Sequence, residues 1–96
     1  MTSDTQVNLP PILNLGAAET LREKLLPTLA LGADVIVDAA TVETLTTPCL
    51  QVLLSLDKSL TEDGRTLILT NPTPAVTQAF DDLGLEEVLK KWSLQT

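Results

Sequence analysis

Thr46-Thr47-Pro48-Cys49 sets two hydroxyls, a proline and the chain's single thiol side by side. Immediately after them, Leu50, Leu53, Leu54 and Leu60 fall on or near one face of a 3.6-residue repeat. The spacing predicts a helix whose opening is marked by Thr47 as N-cap, its hydroxyl oxygen accepting a first-turn N–H that otherwise has no partner. Pro48 then stands at the first helical position, where a missing N–H costs nothing. A hydroxyl at the positive end of a helix suits a partner contact or a phosphoacceptor, since phosphate is welcome there. It serves equally as a plain cap, contributing about 0.5–2 kcal/mol. Thr46 reads as a solvated loop residue or a second acceptor. Cys49, in the first turn, has either a thiol acidified by the helix terminus or a small half-buried side chain. Asp38 closes an apolar stretch at the point where α/β folds place ligand contacts, so it reads as a loop-stabilising or contact residue. Asp38, Thr46, Thr47, Pro48, Cys49 and Gln51 make up the candidate partner-binding set, with Thr47 as phosphoacceptor candidate.

The rest of the composition narrows the chemistry. No histidine occurs among the 96 residues, which removes the commonest general base, the Ser/Cys–His pairings and the commonest metal ligand together. One cysteine excludes an intramolecular disulfide and a cysteine metal cage. No second carboxylate sits at a telling distance from Asp38, so catalytic residues, metal and cofactor are all expected to be none. Six Lys and Arg against thirteen Asp and Glu give a net charge of −7. That balance disfavours nucleic acid and anionic membrane surfaces, both of which are bound by neutralising phosphates. No apolar run approaches the roughly 18–20 residues of a membrane span. Met1–Gln6 has neither the basic nor the apolar region of a signal peptide, so a cytoplasmic location is expected. A small acidic chain of this kind is expected to bind other proteins.

The Thr46–Cys49 loop lies midway along an alternation of short strands and helices. Residues 1–5 form a loose start, 6–92 one domain and 93–96 a tail. Gln6–Leu9 and Ile12–Leu15 are short strands separated by Pro10-Pro11, which cannot donate to a ladder. Gly16-Ala17 opens a helix carried by Ala18, Leu21, Leu25, Leu26 and Leu29, in which Pro27 should end the regular part early and Gly32 supplies the stop. Val35-Ile36-Val37 is a continuous apolar run of the kind found in strands buried on both faces. A threonine-rich loop and the Pro48 helix follow, the helix ending near Asp63-Gly64. Arg65–Thr70 is a further buried strand. Thr73 caps another helix with Pro74 in its first turn, whose stripe is Val76, Phe80 and Leu83. Leu85–Trp92 is the last helix, with Leu85, Val88, Leu89 and Trp92 on its apolar side. The expected fold is α/β, a single domain in which a small, mostly parallel sheet carries packed helices in the order β-β-α-β-α-β-α-α.

Three segments in this order resemble the STAS domain family, over roughly residues 6–92. They are Val37-Asp38 with the Thr46-Thr47-Pro48-Cys49-Leu50 loop, the strand Gly64-Arg65-Thr66-Leu67-Ile68-Leu69, and Asn71-Pro72-Thr73-Pro74-Ala75-Val76 followed by Phe80 and Leu83-Gly84-Leu85. The family loop commonly reads D-S-S-G-L or D-T-A-G-L. In this chain Thr46 holds the acidic position, Thr47 the first hydroxyl position, Pro48 the phosphorylated serine and Cys49 the glycine. Proline cannot accept phosphate, which counts against the simple serine switch. The resemblance implies a bacterial, non-enzymatic interaction module of signal transduction, an anti-sigma-factor antagonist whose partner is a switch kinase or anti-sigma-factor-like ATPase. The alternative it implies is the cytoplasmic subunit of an ABC-type lipid transport complex, bound to a transporter subunit without itself inserting in the membrane. A small-ligand or nucleotide-binding role is the third reading, opposed by the absence of a Gly-rich loop or lysine at Thr46–Cys49.

Overall fold

Val35–Asp38 is the central strand of a parallel three-stranded sheet in the computed structural model, which describes residues 5–32 and 34–93. Call it β3: it pairs with β1 (Thr5–Asn8) on one side and with β5 (Leu67–Thr70) on the other, Val37 facing Val7 and Leu69 in register. Val35 and Val37 are fully buried while Ile36 and Asp38 are half-buried. The expectation of a strand buried on both faces is therefore met on one face and only partly on the other. Thr5 belongs to β1 and Ser93 to the last helix; the remainder of the expected start (1–5) and tail (93–96) lies outside the described residues.

β2 is only Ile12–Leu13, and it pairs in parallel with β4, Thr44–Leu45, so that Leu13 faces Leu45. This is one strand more than the expected order contains, and it lies where a threonine-rich loop was anticipated. The proline pair sets up the ladder: the Pro11 carbonyl accepts the N–H groups of Glu43 (2.7 Å) and Thr44 (3.1 Å), a role open to a residue that has only an acceptor. Leu15 does not continue β2. It enters a 3-10 turn, Leu15–Ala17, closed by Ala17 N–H to the Asn14 carbonyl, and it stays largely exposed.

α1 (Ala18–Leu25) gives way at Leu26 to a 3-10 segment, Leu26–Leu31, with Pro27 in its first turn and Gly32 in the left-handed conformation at its end. Leu21 and Leu25 are buried; Leu26, expected on the same apolar face, is 48% exposed because the chain has turned past the core stripe. Arg65 holds this segment from across the fold. Its guanidinium donates to the carbonyls of Thr28 (3.3 Å) and Leu29 (2.6 Å), and Nε lies 2.8 Å from the Asp63 carboxylate. A cation at the last carbonyls of a helical segment is favourably placed.

α2 (Thr47–Glu62) and α3 (Pro74–Asp82) end alike. After α2, Gly64 N–H bonds Thr61 O and Arg65 N–H bonds Leu60 O; after α3, Gly84 N–H bonds Asp81 O and Leu85 N–H bonds Phe80 O. Both endings need one residue at positive φ, supplied by Gly64 (75°) and Gly84 (70°). Leu50, Leu53, Leu56 and Leu60 bury the inner side of α2, joined by Cys49, while Leu54 is half-buried. In α3 Val76 and Phe80 are buried, but Leu83 lies past the helix and is 45% exposed, so the expected third position of that stripe falls outside the core. α4 (Glu86–Ser93) closes the fold with Trp92, fully buried and edge-on to Phe80 at 5.5 Å. Among the described residues no helix is long and apolar enough to cross a membrane.

Because Phe80 is fully buried and its ring meets Trp92, Phe80→Ala should cost about 3–5 kcal/mol, read as a lowered denaturant midpoint at unchanged m-value. A loss below about 1 kcal/mol would mean that α3 and α4 do not share a packed core.

Candidate functional site

Asp38 leaves β3 with its carboxylate turned to local work. Oδ1 accepts the Ala40 N–H at 2.9 Å and the Asn71 side-chain N–H at 3.3 Å, tying the ends of β3 and β5 together. Asn71 sits at φ 53°, a conformation that asparagine tolerates better than most residues. Thr41 Oγ1 donates to Leu9 O at 3.1 Å, and Thr73 Oγ1 donates to Val42 O at 2.7 Å. The same Thr73 oxygen accepts Val76 N–H at 3.4 Å, so it is the helix cap expected of it and also a tether for the β3–β4 loop.

The start of α2 differs by one residue from the sequence expectation. Thr46, not Thr47, occupies the N-cap position, with extended φ −93° and ψ 162°, and its carbonyl accepts the Leu50 N–H at 3.0 Å. Pro48 is thus the second helical residue. Nor does the Thr46 hydroxyl cap the helix. Its Oγ1 donates to Leu13 O at 2.8 Å, and the Thr46 N–H donates to that same oxygen at 3.0 Å. Tertiary bonding to β2 has taken the side chain away from the helix. One turn on, Cys49 is fully buried, and its Sγ–H donates to Asn14 O at 3.3 Å. A buried thiol held in this way is not an accessible nucleophile, and it is buried more deeply than the half-buried side chain expected.

Thr47 is left facing outward. It is exposed, and its hydroxyl has no partner among the described residues. Beside it opens a hollow of about 430 Å³ whose lining includes Leu15, Leu45, Pro48, Leu83 and Asp82. Leu15 and Leu83 are 73% and 45% exposed, so the free hydroxyl lies within an apolar surface. Those two leucines were not legible as site residues: periodicity placed one in a strand and the other in the core. Pro48 also lines, with Gln51, a second groove on the α1 side of α2, while Asp38 belongs to the end of the three-stranded sheet and lines neither. Toward the far end of α3, the Asp81 carboxylate beside Glu86 raises the Glu86 carboxyl above its ordinary value, by hydrogen bonding first and by like charge second. Among the described residues no group of three or more His, Cys, Asp or Glu is placed to hold a metal ion.

The geometry separates the two threonines experimentally. Thr46→Ala removes a partly buried bond to Leu13 and should cost about 1 kcal/mol, whereas Thr47→Ala at an exposed helix start should stay within about 0.5 kcal/mol. Equal losses in chemical denaturation would contradict the one-residue shift of the cap.

Two comparisons bear on this arrangement. A family model described as "Mlab, STAS domain" matches residues 2–91, spanning the loop and all the described secondary structure from β1 into α4. The anti-sigma-B factor antagonist of Bacillus subtilis (strain 168) is 30% identical over 87 residues, which cover 91% of this chain and 80% of that protein. With the parallel sheet, the Asp38-to-Thr47 passage and the Asn71-Pro72-Thr73-Pro74 helix start in the positions that the resemblance required, the chain belongs to the STAS domain family.

Proposed function

We propose that this chain is a non-enzymatic regulatory module that docks a partner protein through the Thr46–Cys49 loop and the first turns of α2, as an anti-sigma-factor antagonist of a cytoplasmic partner-switching system. The observation that carries the reading is the exposed hydroxyl of Thr47, without a partner among the described residues, set beside the exposed leucines Leu15 and Leu83. Interfaces combine such apolar contact area with a few aimed polar groups. The relative's name, anti-sigma-B factor antagonist, supports the same class of action. The non-enzymatic part rests on the chain's lack of histidine and on an Asp38 carboxylate already engaged by Ala40 and Asn71. The partner is a switch kinase or anti-sigma-factor-like ATPase, and binding alters what else that protein holds.

Pro48 favours a second reading. With proline at the place of the family's phosphorylated serine, the loop keeps a single outward hydroxyl, Thr47, close to the one-threonine D-T-A-G-L pattern. In that reading the chain is the cytoplasmic subunit of an ABC-type lipid transport complex and its partner a transporter subunit. In either case Thr47 is a contact, and in the first it is also the remaining candidate for phosphorylation, at a helix N-terminus where the added charge is favourable.

Tagged wild type and Thr47→Glu should be used as baits in cells of the source organism. Recovery of a kinase-like ATPase by wild type, lost in Thr47→Glu, is the expected result. Recovery of transporter subunits selects the second reading. With the recovered partner, Thr47→Ala should weaken binding by about tenfold or more although its stability is unchanged. Equal affinity at equal folded fraction would remove Thr47 from the interface.

A further inference from the structure

The two grooves flanking α2 differ in character. The one on the α1 side holds about 260 Å³ and is bounded by two helical stripes. From α1 and the 3-10 segment after it come Arg22, Leu25, Leu26 and Leu29, at i, i+3, i+4 and i+7. From α2 come Gln51, Val52, Ser55, Leu56 and Ser59, at i, i+1, i+4, i+5 and i+8. Leu25 and Leu56 are buried and form the floor, whereas Arg22, Leu26, Gln51, Ser55 and Ser59 are exposed on the walls. At a rise of 1.5 Å per residue, the run from Pro48 to Ser59 makes a trough roughly 16 Å long.

Its charge is unusual for this molecule. The protein carries thirteen acidic side chains and a net charge of −7, yet among the described residues no acid lines this groove. Among the described residues Arg22 is the only charged one lining it, and it has no ion-pair partner there. A cation exposed beside an aliphatic trough complements an occupant with a carboxylate at one end. The walls also favour one kind of occupant. Two helices offer an extended strand no unpaired backbone to pair with. The open, partly polar α2 wall does not enclose an alkyl chain as small-molecule sites do. Small serines at Ser55 and Ser59 let a third helix approach closely, with its side chains seated in the seam.

We infer that the α1–α2 groove receives an amphipathic helix of the partner protein, about three turns long, with aliphatic anchors at i, i+4 and i+7 and a carboxylate opposite Arg22. This deepens the docking reading above and rests on it, since the groove and the Thr47 hollow share Pro48 as their common wall.

The test uses the full chain, labelled with 15N, and a synthetic helical peptide of about 15 alanine and glutamine residues carrying three leucines at that spacing and one glutamate a turn beyond. Shift changes should centre on Arg22, Leu26, Gln51, Ser55 and Ser59. Leu26→Asp, at an exposed position, should weaken the peptide about tenfold. Arg22→Glu should weaken it about threefold and strengthen, by the same factor, the peptide whose glutamate is replaced by lysine. Gln78→Ala, exposed on α3 and lining neither groove beside α2, should leave peptide binding unchanged. The Thr47 docking reading is read on the captured partner and not on this peptide, so the two failures show up in different experiments. The inference is overturned by shifts that map instead to the Leu15–Leu83 hollow, by an affinity indifferent to Leu26→Asp, by no binding at millimolar peptide, or by decanoate occupying the groove when the peptide does not.

Discussion

The carbonyl oxygen of Leu13 is the point on which the site depends. Both donors of Thr46, backbone N–H and side-chain hydroxyl, converge on it, and the neighbouring Asn14 carbonyl takes the thiol of Cys49. A helix that begins Thr47-Pro48 has few donors of its own with which to anchor its entry, because proline contributes none. The anchoring is therefore done by acceptors on a strand 33 residues away in sequence. β2 and β4 are two residues each, and a pair that short does not hold itself together. It persists because Pro11 above it and Thr46 below it add bonds at both ends, and because Leu13 is fully buried.

The consequence is a division of labour between adjacent residues. Thr46 and Cys49 face in and are consumed by structure; Thr47 and Gln51 face out and remain available. Asp38, which stands where α/β folds place ligand contacts, is spent on joining the ends of β3 and β5. What stays exposed is a helix start at which the Thr47 hydroxyl has no partner among the described residues, with Pro48 between two depressions. That surface combines aliphatic area with a hydroxyl and, at its edge, the Asp82 carboxylate.

Much of this frame was legible in the sequence. Val35–Val37 and Leu67–Leu69 are apolar runs bounded by turn residues, Thr73-Pro74 is a helix start with a cap and a compatible proline, and Gly64 and Gly84 stand where two helices require positive φ. These signals are local, and the local chemistry decided the outcome. β4 was not legible, because Thr44-Leu45 is too short to show a period of two and its partner lies 32 residues earlier. The cap was displaced for a related reason. Thr46 and Thr47 are equally capable of the position, and proline is tolerated anywhere in the first turn, so only the tertiary bond to Leu13 decides between them. Leu15 and Leu83 look like core in one dimension. They are exposed because each falls just beyond the end of an element, where the periodicity that would have buried it has stopped.

The most direct test is native-state amide hydrogen exchange at Thr46. If the Leu13 carbonyl pins the entry to α2, the Thr46 N–H should be protected to nearly the global stability, like the amide of Val37 in the central strand. Exchange of the Thr46 amide at the rate of an unprotected loop, with Val37 still protected, would mean that the helix start moves independently of β2. The inward and outward assignment of Thr46 and Thr47 would then be wrong.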